Sequence, residues 1–166
     1  MTQRRPRLAL LASLAGLAFV WAPAVSAGEE KALIGSYALV QRVTVDGKRL
    51  AGPEVVGFMT FTKTRRTVIM KWNGPAAEPV SIAFIAAYKL SGEKYCESVE
   101  YGVQSSLGTP GVSYDTPSET KACSAAISDA SGLAFDVPGE RLRLRVTRDG
   151  ILATTPRWTD HWTKVR

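Results

Sequence analysis

The chain has 166 residues, of which 45% are hydrophobic and 22% are charged, and its formal net charge is +6. This length fits one folded domain rather than several. Three of the basic residues lie among the first seven, and without residues 1–27 the net charge is +3, so the basic excess does not indicate a nucleic-acid-binding surface.

The first 27 residues have the pattern of a secretory signal peptide. A basic head with Arg4, Arg5 and Arg7 precedes an apolar run over 8–20, and Val25-Ser26-Ala27 resembles a cleavage site. The apolar run is shorter than the roughly 20 residues that cross a bilayer, so no membrane span is predicted. We therefore expect a signal peptide over 1–27, one domain over 28–166, and a periplasmic or secreted location. The paired arginines leave both the general and the twin-arginine export routes open.

The first predicted strand runs from about Ile34 to Val45, where alternation puts Tyr37 and Arg42 on opposite faces. Asp46-Gly47 then favours a hairpin turn. Further alternating runs predict strands over Val56–Thr62, Thr67–Trp72, Ser81–Leu90, Tyr95–Val103, Thr120–Ile127, Leu133–Val137, Arg141–Val146 and Arg157–Val165. This pattern predicts an all-β fold, a single antiparallel up-and-down barrel of about eight strands.

Three connections have distinctive sequences. The turn over Lys63–Arg66 lacks glycine and predicts an open connection rather than a two-residue one. Gln104–Glu119 is rich in Ser, Gly, Pro and Thr and is the longest predicted loop. After Pro138-Gly139-Glu140, the alternating Arg141, Arg143 and Arg145 fit a solvated strand face, or alternatively an anion-binding patch.

Cys96 and Cys123 are the only two cysteines, and both follow the predicted signal peptide. In an oxidising compartment a single pair is most simply one disulfide. A redox or metal pair is the alternative, but the spacing is not that of a C-x-x-C motif and a metal would need further ligands.

No catalytic, metal or cofactor site is predicted. His161 is the only histidine, and on a strand its side chain and that of Asp160 point to opposite faces. The chain has no Gly-x-Ser-x-Gly, His-Glu-x-x-His or phosphate-binding glycine motif. Glu97 shares a strand face with Tyr95 and Tyr101. If this face points into the barrel, Glu97 would be a buried ligand anchor. We expect instead that Glu97 lies at the barrel mouth, in water.

Five segments together resemble the bacterial lipocalin-like domains, which are relatives of the lipocalin and fatty-acid-binding barrels. The opening Leu33–Val40 is similar to an L-x-G-x-W-x-L strand, with Tyr37 in place of the tryptophan, and Gly57–Thr62 is similar to G-Y-L-x-Y-T. The other matching segments are Ala86-Ala87-Tyr88, the late hairpin over Phe135–Leu144 and the closing Trp162-Thr163-Lys164-Val165.

The resemblance implies a calycin-type barrel that is closed at one end by Tyr37 and Trp162, with Lys164 or Arg166 in a cation–π contact with the tyrosine. The open end would hold one small molecule. Aromatic side chains on the strands are the candidate ligand contacts. The predicted ligand-binding residues are Phe58, Trp72, Phe84, Tyr88 and Glu97.

The predicted function is an exported barrel that binds a small, largely apolar ligand. Two alternatives stay open: a protein-binding or inhibitor barrel that uses the 104–119 loop, and a barrel isomerase or cyclase.

Overall fold

The structure is a computed structural model that describes residues 31–73, 79–106, 109–115 and 122–166. The predicted signal peptide lies outside the described residues. The strands are β1 (Gly35–Thr44), β2 (Arg49–Leu50), β3 (Val55–Phe61), β4 (Arg65–Asn73), β5 (Pro79–Ser91), β6 (Lys94–Ser106), β7 (Thr109–Asp115), β8 (Ala122–Asp129), β9 (Gly132–Val137), β10 (Leu142–Val146), β11 (Gly150–Thr154) and β12 (Trp158–Lys164). Within these ranges, no helix has the length and apolar character needed to cross a membrane.

Ten strands form a closed antiparallel barrel. The order around the ring is β1, β3, β4, β5, β6, β8, β9, β10, β11 and β12, and β12 pairs back with β1 from Tyr37–Lys164 to Thr44–Trp158. Each neighbour in the ring is the next ring strand along the chain, so the barrel is of the up-and-down type. β2 pairs with β1 and β7 pairs with β6 outside the ring. The all-β barrel is confirmed, but the expected number of about eight strands is wrong.

Two segments form strands that were not predicted: β11 lies in the ring, whereas β7 lies outside it. Gly150–Thr154 forms β11, which pairs with both β10 and β12. Its consecutive Ile151, Leu152 and Ala153 lack the alternation by which the other strands were predicted. The predicted long loop over Gln104–Glu119 is also wrong in part, because β6 continues to Ser106 and Thr109–Asp115 pairs with it as β7.

A β-bulge turns Arg42 toward the barrel interior. The pairing of β1 with β12 passes from Leu39–Trp162 to Gln41–His161, so Val40 has no partner there. One extra residue reverses which side chains face inward beyond it. Tyr37 and Arg42 are therefore both buried, whereas strict alternation placed them on opposite faces.

A short turn brings a second arginine inside. β3 ends at Phe61 and β4 begins at Arg65, so the connection is tight and Arg65 and Arg66 belong to the strand. Thr62 helps to close it: its hydroxyl accepts hydrogen bonds from the backbone N–H groups of Thr64 and Arg65. The predicted open connection over Lys63–Arg66 is therefore wrong. Arg66 faces inward and is only 1% exposed.

One end of the interior, here the closed end, is filled by a chain of aromatic rings. In order, Tyr37, Phe61, Tyr88, Tyr95 and Phe135 have successive ring centroids 6.4, 5.5, 5.6 and 4.0 Å apart. All five are buried. Such edge-to-face and stacked pairs add stabilisation to the burial of their apolar area.

Tyr37 is fixed from two sides at the closed end. Its hydroxyl donates to the carbonyl of Leu33 at 2.8 Å, and Lys164 Nζ lies 5.6 Å from its ring centroid. Burial raises the pKa of Tyr37 to about 12. The structure thus places Lys164 where the family resemblance implied a cation.

The predicted disulfide between Cys96 and Cys123 is confirmed. It joins β6 and β8, which pair, within the described residues, from Lys94–Ala125 to Glu97–Ala122. Closing a loop of this length stabilises a fold by roughly 3–4 kcal/mol on the chain-entropy account. The bond therefore secures a short part of the ring next to Tyr95 and Glu97.

Candidate ligand-binding cavity

The opposite end of the interior, here the open end, holds a cavity of about 370 Å³. The turns over 138–141 and 155–157 border it, together with the inner faces of β4 and β5. Most of the lining is apolar: Met59, Val68, Met70, Trp72, Ile82, Phe84, Leu142, Ala153, Pro156, Trp158 and Trp162. The remaining lining residues are Arg42, Arg66, Glu140, Arg141, Thr155, Arg157 and Asp160.

Alternation along β4 produces one wall of the cavity. Every second residue from Arg66 to Trp72 lines it, and β5 adds Ile82 and Phe84, which pair with Met70 and Val68. On the adjacent strand β3, Gly57 pairs with Met70 and makes room for Trp162, because a Cβ at this position would lie 2.9 Å from both the indole Cη2 and Met70 Cγ.

Arg42 forms a buried ion pair in the cavity wall. Its Nε and Nη2 donate to Oδ1 and Oδ2 of Asp160 at 2.6 and 2.8 Å. Its Cζ lies 4.3 Å from the Trp158 ring centroid and 5.3 Å from that of Trp72. A two-point charge-assisted contact with aromatic neighbours fixes the orientation of the guanidinium.

Arg66 forms a second buried cluster with two carboxylates. Its Nε and Nη2 donate to Oε2 and Oε1 of Glu97 at 3.0 and 2.6 Å, and Nη2 also donates to Oε1 of Glu140 at 3.2 Å. Its Cζ lies 4.6 Å from the Phe84 ring centroid. Tyr95 donates its hydroxyl proton to Glu97 Oε2. Glu97 is thus held by two partners behind the cavity wall.

Burial and charge act in opposite directions on this cluster. Burial alone would lower the pKa of the Arg66 guanidinium, but the charge and hydrogen bonds of Glu97 outweigh it and raise that pKa. Burial also raises the pKa of the Tyr95 phenol. For Glu140, burial raises the carboxyl pKa and the charge of Arg66 opposes the shift. Arg66 is therefore charged and Tyr95 is protonated at neutral pH.

The cavity retains hydrogen-bonding capacity. Among the residues that the structure describes, Nη1 of Arg42 and Nη1 of Arg66 have no hydrogen-bond partner. Trp162 Nε1 is buried and likewise has no partner within this part of the chain. The lining includes four arginines but only two carboxylates, which gives the open end an excess of positive charge.

Two of the predicted ligand contacts lie in the cavity wall, and two others do not. Trp72 and Phe84 line the cavity, and so does Trp162, which the resemblance had assigned to barrel closure. Tyr88 belongs to the aromatic chain of the closed end instead. Phe58 does not line the cavity: it lies between the inward-facing Gly57 and Met59, points outward, and is 48% exposed.

The expectation that Glu97 lies in water is wrong, since it is only 5% exposed. Its buried partner Arg66 was missed because it was assigned to a turn. Asp160 was missed as well, although the sequence carried a signal for it. It lies between Trp158 and Trp162 on one face of a strand, where a carboxylate needs a buried cation such as Arg42.

Comparison with known proteins identifies no relative. No family model matches the chain, and no curated protein or solved structure matches it. The lipocalin-like resemblance therefore stays a prediction. Within the described ranges, no group of three or more His, Cys, Asp and Glu side chains could hold a metal ion.

Proposed function

We propose that this barrel binds a small, largely apolar molecule in the cavity at its open end. The observation that carries the proposal is the cavity itself, about 370 Å³ inside a closed ring of strands and lined mainly by apolar and aromatic side chains. Small-molecule sites commonly have volumes of about 300–1,000 Å³ and combine such a lining with a few fixed polar groups.

Affinity would come chiefly from burial of the ligand, at about 25 cal/mol per Å² of apolar surface. The two inward arginines are already held by Asp160 and Glu97, so they would lose little freedom when a ligand arrives. A site that is ordered in advance binds at a lower entropic cost.

The two alternatives have less support. The isomerase or cyclase alternative depended on an inward Glu97 as its acid or base, but Glu97 is bonded to Arg66 and Tyr95 and does not line the cavity. A protein-binding barrel would use the 104–119 segment, of which 107–108 and 116–119 lie outside the described residues. We therefore keep small-molecule binding as the proposal.

A fluorescent neutral probe, N-phenyl-1-naphthylamine, tests this function. Trp72, Trp158 and Trp162 all line the cavity, and the only other tryptophan, Trp21, lies in the predicted signal peptide. A probe in the cavity should therefore quench tryptophan emission by energy transfer and gain emission of its own. Saturable binding with both changes is the expected result.

A pair of variants locates the probe. Leu142→Trp should fill the cavity mouth and abolish the gain in probe emission, because Leu142 lines the cavity. Ile127→Trp adds the same ring on the outside of β8, where the residue is exposed, and should leave binding unchanged. Equal binding by both variants would place the probe elsewhere and contradict the proposal.

A further inference from the structure

The two carboxylates that contact Arg66 are not equivalent. One guanidinium contacts two carboxylates, those of Glu97 and Glu140, and only Glu140 lines the cavity. Glu97 makes two hydrogen bonds to Arg66, at 3.0 and 2.6 Å, whereas Glu140 makes one, at 3.2 Å. The second carboxylate is not needed to neutralise the arginine, because Glu97 already does so.

The two carboxylates also differ in how firmly the fold holds them. Glu97 is on β6, is buried, and accepts a further hydrogen bond from Tyr95. Glu140 follows Gly139, which has a φ of +79°, in the turn between β9 and β10, and 41% of its side chain is exposed. Glu140 can therefore rotate into solvent, whereas Glu97 is enclosed by the barrel.

Removing Glu140 from Arg66 would open an anion site. The Nη2 donor that Glu140 occupies would become available beside Nη1, which has no partner among the described residues. Two adjacent guanidinium nitrogens fit the two oxygens of a carboxylate. Arg42 and Arg66 would still be balanced by Asp160 and Glu97, so the remaining charge of the lining would come from Arg141 and Arg157.

We propose that the ligand is an amphipathic anion, with an aromatic or apolar body and a carboxylate that replaces Glu140 on Arg66. This inference rests on the proposed function and specifies its ligand class. The body lies against Phe84 and Trp72, and the carboxylate accepts hydrogen bonds from Arg66. Glu140 occupies the place on Arg66 that the ligand's anionic group would take, so it competes with that group and sets the affinity of the site.

The test compares 2-naphthoate with 2-naphthamide, which share a ring system and differ in charge. Binding of each to the full chain is measured by isothermal titration calorimetry, beside N-phenyl-1-naphthylamine as the neutral reference. The native protein should bind the naphthoate more tightly than the amide. Glu140→Gln should raise the affinity for the naphthoate by about tenfold, the order of one charged hydrogen bond, and leave the amide unchanged.

Glu100→Gln is the matched control. Glu100 pairs with Arg65 on the outside of the barrel at 2.8 Å, so this variant changes the net charge equally without altering the cavity. It should bind both naphthalene compounds as the native protein does. If Glu140→Gln and Glu100→Gln raise the affinity for the naphthoate equally, the effect comes from net charge alone and the inference is overturned.

Other outcomes separate this inference from the proposed function. If Glu140→Gln raises the affinity for the naphthoate and for the amide equally, Glu140 only obstructs the cavity mouth and the anion site is refuted. If the neutral probe binds but the naphthoate does not bind better than the amide, the ligand class is wrong and the proposed function stands. If none of the three compounds binds, the proposed function fails and the inference fails with it.

Discussion

The closed and open ends of the barrel interior share β1, β3 and β5 but are filled in different ways. At the closed end, five aromatic rings from Tyr37 to Phe135 follow one another and are buried. At the open end, Arg42 and Arg66 lie among tryptophan and phenylalanine rings around a cavity of about 370 Å³. One end is therefore packed and the other is left accessible.

The comparison shows how a barrel keeps part of its interior empty. Uncharged rings can be stacked until no space remains, and such packing gives rigidity and stability. A buried guanidinium must instead stay with its carboxylate at hydrogen-bonding distance. The pairs Arg42–Asp160 and Arg66–Glu97 thus hold the walls of the open end in place without filling it.

The largest expected loss of stability comes from breaking the Arg66 cluster. Arg66→Met leaves Glu97 buried without its cation, which typically costs about 3–5 kcal/mol. The measurement is the free energy of unfolding in urea. Arg65→Met is the control, because the neighbouring Arg65–Glu100 pair lies on the outside, and it should shift the midpoint little. Equal losses in the two variants would contradict the assignment of Arg66 to the interior.

Phenylalanine truncations compare the two ends directly. Phe135→Ala should cost about 3–5 kcal/mol, because it leaves a hole in a packed core, where its ring centroid is 4.0 Å from that of Tyr95. Phe84→Ala should cost less, because Phe84 already borders open space, but it should weaken binding of N-phenyl-1-naphthylamine. Urea unfolding and probe titration of both variants check this; the reverse order would show that the ends are exchanged.

The disulfide should matter somewhat less than these core residues. Replacing both Cys96 and Cys123 by serine should lower the free energy of unfolding by roughly 3–4 kcal/mol, since the unfolded chain regains the freedom of an unlinked loop. Reduction of the native protein should give the same loss in urea. An unchanged unfolding midpoint after complete reduction would refute this stabilising role.

Tyr37 at the closed end should have a smaller effect on the free energy of unfolding, and this effect should appear at alkaline pH. Its pKa is about 12 in the folded protein against an ordinary value of 10.0. The phenol therefore ionises first in the unfolded chain, and its contribution to stability is present below pH 10 and lost as pH rises toward 12. Tyr37→Phe should reduce the loss of unfolding free energy between about pH 10 and pH 12. An identical pH slope would argue against burial of this phenol.

Alternation and turn signals were sufficient to predict an all-β barrel, and the two cysteines were sufficient to predict the disulfide. The interior of the open end could not be predicted in the same way. A bulge at Val40 reversed the facing of Arg42, and a turn without glycine proved tight enough to put Arg66 into β4. Both depend on strand register, which is set by pairing between distant segments rather than by local sequence.

The aromatic candidates show the same limit. Phe58 and Met59 are neighbours on β3, so a shift of one position decides which of them faces inward. Phe58 was chosen for its ring, but Met59 lines the cavity. Conversely, Trp72 and Phe84 do line the cavity, and β4 and β5 pair without a register shift along their length. Their role as ligand contacts stays a prediction.

The most direct test of the account is a methyl NMR titration with N-phenyl-1-naphthylamine. Met59 and Met70 both line the cavity, and the only other methionine is Met1, so two methionine methyl signals report on the open end. Leu33 and Val146 are buried outside the cavity lining and serve as references. The account predicts that the Met59 and Met70 signals shift and saturate while the Leu33 and Val146 signals stay in place. Unmoved methionine signals during saturable binding would contradict it.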